Sequence, residues 1–161
     1  MKKLALVIAL FLLFLVGCQE QSYGILPYQE NDLEAVCVIN EKYTARLTKQ
    51  GEKRSLTILE PESLCGIEIY YENESAFLVA EETKIPVKKE SLCGIVALLS
   101  AFSLNEEHLV SATGTEVATL EFQTEECYYT LTLGKNKMPK AITIQGKGFS
   151  YNVIVKEIKL A

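Results

Sequence analysis

From Glu34 to the end of the chain, apolar and polar side chains alternate in short runs divided by glycine, asparagine and proline. A period of two lets a strand bury one face and wet the other, so the pattern predicts an antiparallel sheet. The predicted strands are residues 35–50, 53–59, 66–71, 75–81 after a turn at Asn73 and Glu74, a short edge at 84–88 marked by Pro86, 115–122, 127–133, 140–145 and 149–158. In the last four, one-face apolar stripes stand out: Ala118, Leu120 and Phe122; Tyr129, Leu131 and Leu133; Ile142 and Ile144; Phe149, Tyr151, Val153 and Val155. Such stripes front a core or a cavity. Residues 91–103 break the period, because Leu92, Ile95, Val96, Leu99 and Phe102 recur at helical spacing with no charge from Ser91 to Asn105. A helix that is apolar on nearly all sides is buried. It either plugs the concave side of the sheet or lies as a lid over an apolar cavity.

The start of the chain obeys a different rule. Lys2 and Lys3 precede an uncharged run, Leu4 to Val16, which is too short for a stable span and has the flanks of an export signal. The run ends Leu15, Val16, Gly17, Cys18, an order that resembles the bacterial lipobox. That resemblance implies diacylglycerol on the Cys18 thiol, cleavage before Cys18 and acylation of the freed amine. Residues 1–17 are therefore expected to be a lipoprotein signal peptide, and the mature protein to be anchored by acyl chains, palmitate among them, on the extracytoplasmic face of the cell membrane. Gln19 is not the aspartate that marks inner-membrane retention in a two-membrane cell. Residues 18–33, polar and without a sustained period, read as a lipidated tether to one domain over residues 34–161.

Loss of residues 1–17 from the 161 leaves 144, enough for a single core. It also takes the basic count from 16 to 14 against 21 acidic residues, a net charge of −7. Such a surface repels nucleic acid and anionic headgroups, so anchoring falls to the acyl chains. Outside the plasma membrane Cys37, Cys65, Cys93 and Cys127 can stay as thiols or form one or two disulfides, with three pairings open. None forms a CxxC, and His108 is the single histidine, so neither a metal site nor a cysteine–histidine nucleophile is supported. Glycine-rich phosphate loops, HExxH, GxSxG and SxxK are missing from the sequence, and the acidic pairs at 81–82, 106–107 and 125–126 are neighbours near turns. On a strand, adjacent carboxylates point to opposite faces and make a poor acid–base pair. A non-enzymatic protein without a cofactor is expected. The string ESLCGI occurs twice, at residues 62–67 and 90–95, but the first copy leads into a predicted strand and the second into a predicted helix, so no repeat architecture is expected.

A lipobox, a polar tether, long antiparallel strands, an apolar helix ending near SAFSL, and a closing TLTL, KNKMPKAITI, FSYNVIVKEI order together resemble the lipoprotein-carrier superfamily of LolA, LolB and LppX-like proteins. Met138, Pro139, Lys140, Ala141 and Ile142 look like that family's turn, proline and strand before the last strand. The resemblance spans most of residues 34–161. It implies a mainly β (α+β) fold, an open half-barrel of antiparallel strands with an apolar helix on the concave side. It also implies that the concave face holds a lipid or acyl chain, with Leu99, Phe102, Leu120, Phe122, Ile142, Ile144, Tyr151 and Val153 as lining candidates. Some clostridial germination lipoproteins share the fold and serve a cell-wall amidase. The second reading is accordingly an adaptor that docks another envelope or spore protein, or a second copy of itself as a homodimer.

Overall fold

The computed structural model describes residues 26–73, 75–81, 83–114 and 117–161. Eleven antiparallel strands form one sheet in the order β6-β5-β4-β3-β2-β1-β11-β10-β9-β8-β7. The chain enters at the middle of this sheet with β1 (Leu33–Ile39) and works outward by hairpins through β2 (Tyr43–Gln50), β3 (Lys53–Glu60), β4 (Glu68–Glu72), β5 (Ser75–Ala80) and β6 (Thr83–Val87). A helical crossover then carries it to the other edge. From there β7 (Leu109–Thr113), β8 (Thr119–Gln123), β9 (Cys127–Leu133), β10 (Pro139–Gly146) and β11 (Phe149–Leu160) return to the middle, where β11 pairs with β1.

The crossover consists of a 3-10 turn (Lys89–Leu92), an α-helix that we number α2 (Cys93–Ser100), and a second 3-10 turn (Ala101–Ser103). Residues 104–108, with a third 3-10 turn at Glu106–His108, complete the link to β7. The sheet wraps α2, which touches β3, β10 and β11, without closing, since β6 and β7 are not paired. The outcome is the expected open antiparallel half-barrel with an apolar helix on its concave side. The expected single helix over residues 91–103 proves to be eight residues of α-helix between tighter turns, with no side-chain cap at Leu92. Uncapped ends commonly tighten into 3-10 geometry because their orphan backbone groups then find nearer partners.

The alternation in the sequence maps onto the inner face. In β1 the buried positions are Leu33, Ala35, Cys37 and Ile39, and in β9 they are Cys127, Tyr129, Leu131 and Leu133. Pro86 sits on the edge strand β6, where a missing backbone donor does least harm. Two elements differ from expectation. The predicted strand 35–50 is a hairpin, β1 and β2, turned by Asn40 and Glu41, which adopt φ of 50° and 58° in succession. A type I′ hairpin turn needs two such residues, and Asn-Glu is a weaker signal for it than Asn-Gly. Strand β7 lies in a stretch with no clean alternation, which an edge strand with one neighbour tolerates. The ESLCGI copies both begin as 3-10 turns, at Glu62–Leu64 and Lys89–Leu92, and part company at their glycines. Gly66 takes φ +85° and turns the chain into β4, whereas Gly94 continues the helix.

The tether is shorter than expected at its folded end. Leu26 and Tyr28 are fully buried, and Pro27–Glu30 forms a helical turn, α1, against the domain. The Leu26 N–H donates to Gln29 Oε1 at 2.7 Å, and Gln29 Nε2 donates to the Leu104 carbonyl. The Tyr28 ring meets Phe102 edge to face at 6.4 Å. Lys49, 7% exposed, donates from Nζ to the carbonyls of Tyr28 at 2.8 Å and Gln29 at 2.7 Å. A four-residue turn is too short to show helical periodicity in a sequence, although the aromatic and aliphatic pair it carries belongs to the core.

Candidate functional site

Helix α2 divides the concave face into two flanks of opposite character. On the side of β1–β4 lies an apolar cavity of about 230 Å³. Its sheet wall is built by Ile39 of β1, Tyr43 and Ala45 of β2, Leu56 and Ile58 of β3, Ile69 of β4 and Tyr151 of β11. Its other wall is Ile95 and Leu98 of the helix and Leu64 of the first 3-10 turn. Ala45, wholly buried, contributes only a methyl to this wall. At about 30 Å³ per small group the cavity takes several methylene-sized units. Leu64 and Ile95 both come from the ESLCGI copies, so the duplicated string supplies two sides of one pocket.

The polar groups at this wall are the tyrosines. Tyr43 is 39% exposed at the rim. Tyr151 is half-buried, packs on Phe149 with ring centroids 5.7 Å apart, and has its hydroxyl pKa pushed up by burial and by the neighbouring Cys93. A neutral phenol at a cavity mouth gives one hydrogen-bonding tip to an otherwise apolar wall.

On the opposite flank an open groove of about 790 Å³ runs between the helix and β7–β9. Lys89, Val96, Ala97 and Ser100 form its helical side, while His108, Leu109, Glu125, Glu126, Cys127 and Tyr129 are among the residues facing them. His108 is engaged through Nδ1 with Asn105 Oδ1 at 2.5 Å. Burial pushes up the Cys127 thiol and the Tyr129 phenol, so both are protonated at neutral pH. The groove is wetter and more acidic than the cavity across the helix.

Of the eight residues proposed from sequence as lining candidates, Tyr151 borders the apolar cavity. Leu99, Phe102, Leu120, Phe122, Ile142, Ile144 and Val153 are packed in the core and border neither the cavity nor the groove. Cys18 lies outside the described residues. The cavity residues that sequence reasoning missed, Ile39, Tyr43, Ala45, Leu56, Ile58, Leu64, Ile69, Ile95 and Leu98, sit largely in the other half of the sheet. Among the described residues, no cluster of His, Cys, Asp and Glu could hold a metal ion, and no helix is long and apolar enough to cross a membrane.

No protein-family model and no curated protein matches the chain. Among solved structures it is similar to an uncharacterized conserved protein from Thermus thermophilus, with 14% identity over 83% of this chain and 81% of that one, at a TM-score of 0.49. It is also similar to a LolA superfamily protein from Nitrosomonas europaea, with 8% identity, 81% and 84% coverage and a TM-score of 0.42. A putative outer membrane lipoprotein-sorting protein domain from Vibrio parahaemolyticus matches with 10% identity, 83% and 87% coverage and a TM-score of 0.44.

Proposed function

We propose that this protein is an envelope lipoprotein, anchored through Cys18 on the extracytoplasmic face of the cell membrane, that holds an acyl chain or similar apolar group beneath α2. The observation that carries this reading is the cavity of about 230 Å³ walled by Ile39, Ala45, Leu56, Ile58, Leu64, Ile69, Ile95 and Leu98. A void lined by aliphatic side chains gains nothing from water, which needs two or more polar partners to be held there. An apolar chain that enters it leaves water and makes dispersion contacts with side chains that otherwise face empty space. Helix α2 forms one wall through Ile95 and Leu98, so its position over the sheet sets the width of the cavity. Apart from the Tyr43 and Tyr151 hydroxyls the lining is aliphatic carbon, which supports holding an apolar ligand rather than transforming it.

The test is native mass spectrometry on protein purified without detergent, together with titration of a fluorescent fatty acid. Retained lipid and saturable probe binding at micromolar concentration are expected. A protein that carries no lipid and binds no probe would instead favour the adaptor reading, in which the concave face receives another envelope protein. For the anchor, metabolic labelling with a clickable fatty acid is expected to mark the wild-type chain and not Cys18→Ala. Equal labelling of the two would refute lipidation at that thiol.

A further inference from the structure

Cys93 is the first residue of α2 and is exposed, and Cys127 is the first residue of β9 and is buried. Val96, Ala97 and Ser100 follow Cys93 by three, four and seven positions, and in an α-helix these share its face. All three border the open groove, and Cys127 borders the same groove from the sheet side. The helix face that carries Cys93 is thus turned toward the strand end that carries Cys127. The sheet register locates the start of the helix relative to Cys127. Cys127 is paired with Gly146, and Gly146 is paired on its other side with Phe149. Gly94, next to Cys93, packs against Phe149 and Tyr151. The start of the helix therefore sits over β11 in a three-strand level whose far member is Cys127, and the Phe149 ring lies across Gly146 beneath it.

The electrostatics agree with this placement. Burial is the main cause of the raised Cys127 pKa, the Tyr129 hydroxyl opposes it by hydrogen bonding to the thiol, and Glu126 and Cys93 add to the rise.

From this juxtaposition we infer that Cys93 and Cys127 are a disulfide-forming pair that staples the start of α2 to β9. The oxidant is a disulfide of the extracytoplasmic space, either of a thiol–disulfide oxidoreductase or of a small thiol. Exposed Cys93 loses its proton, and its sulfur attacks the oxidant, forming a mixed disulfide and expelling one thiolate that takes up a proton. Cys127 then gives up its proton and attacks the Cys93 sulfur. The Cys93–Cys127 bond forms, the mixed bond breaks, and the second oxidant thiol leaves with a proton. Two protein thiols are oxidised and one external disulfide is reduced. Bridging brings the two Cα atoms to about 5.5 Å, so the staple narrows the polar groove at this end. It fixes the end of the helix that carries Gly94 and Ile95, the latter a wall of the apolar cavity. Cys37, buried in β1, and Cys65, exposed after the first 3-10 turn, are outside the pair.

The inference rests on the extracytoplasmic location proposed above, but its first readout needs neither a lipid ligand nor an anchor. The full chain in isolated membranes is treated with oxidised glutathione, unfolded, alkylated with a mass-tagged maleimide and mapped by peptide mass spectrometry. The expected result is protection of two thiols, a joined peptide carrying Cys93 and Cys127, and loss of both in Cys93→Ser, whose exposed site tolerates the change. Reduction should then lower the urea midpoint of the oxidised wild type and leave that of Cys93→Ser unmoved. Glutathione retained on Cys93 with Cys127 still reduced, a Cys65–Cys93 peptide, or a disulfide between two chains would each overturn the pairing. An equal effect of reduction on both proteins would overturn the staple's hold on the helix.

Discussion

A methyl group at Gly94 would stand 2.7 Å from the Tyr151 hydroxyl oxygen and 3.0 Å from a carbon of its ring. The helix lies so low on β11 at this point that any larger residue requires the Tyr151 ring to shift, and the approach helps set how far Ile95 and Leu98 project over the cavity. Gly94→Ala is expected to destabilise the fold by about 1–3 kcal/mol through overpacking. In a Tyr151→Phe background the nearest clash is gone, so the same substitution should be less harmful. Urea midpoints of the four proteins in a double-mutant cycle check this. An equal effect of Gly94→Ala in both backgrounds would show that the contact does not set the height of the helix.

Lys49 holds the folded end of the tether. Its ammonium is nearly enclosed and satisfied by the Tyr28 and Gln29 carbonyls. Lys49→Met keeps the aliphatic stem and leaves both carbonyls without that partner, which costs about 1–3 kcal/mol. Limited proteolysis should then cut within residues 26–32 of the variant well before it cuts the wild type, with the sheet still intact by circular dichroism.

Alkaline pH should loosen the fold through Cys37. Burial pushes its thiol up to about 12 from an ordinary 9.0, so below 9.0 both folded and unfolded chains keep the proton and the group is indifferent to pH. Between 9.0 and 12 the unfolded chain ionises while the folded one does not, so stability falls as pH rises, by about 1.4 kcal/mol per pH unit at most for one proton. Lys49 acts with the opposite sign. Desolvation first, and then Arg54, lower its pKa against a smaller opposing pull from Asp32, so its unfolded form holds the proton more tightly and stability gains as pH approaches 10.5. The alkaline slope of the urea midpoint should therefore be shallower in Cys37→Ala and steeper in Lys49→Met than in the wild type.

How far the sequence announces each element depends on how many residues share the signal. Strands β8 to β11 are plain because Leu120, Phe122, Leu131, Ile142, Ile144 and Val153 hold a period of two over long runs, and the helix is plain because Ile95, Leu99 and Phe102 break it. The Asn40–Glu41 turn, the four-residue α1 and the edge strand β7 depend on two to five residues each, and tertiary contacts decide them. The cavity was hidden for another reason. An apolar stripe tells which face of a strand is inward but not whether the facing atoms meet a neighbour or a void. The cavity is walled by Ala45 on β2, by Leu64 of a 3-10 turn and by Ile95 and Leu98 of the helix, and no single run of sequence contains all of these.

The sharpest test of the site contrasts filling the cavity with emptying the core. Ala45 is fully buried but borders empty space, so Ala45→Leu adds carbons where there is room for them. It should cost no more than about 1–3 kcal/mol, the range for small-to-large changes at buried apolar positions. The added side chain occupies the place of the ligand, so a fluorescent fatty acid should bind about tenfold more weakly or worse, equivalent to about 1.4 kcal/mol. Phe122 is packed on all sides and borders neither the cavity nor the groove, so Phe122→Ala should lose about 3–5 kcal/mol of stability. In conditions where that variant stays folded, its probe affinity should match the wild type, because no atom removed touches the cavity. The two measurements together decide the location: unchanged binding by Ala45→Leu with lost binding by folded Phe122→Ala would move the ligand from the β1–β4 flank to the β8–β11 half of the sheet.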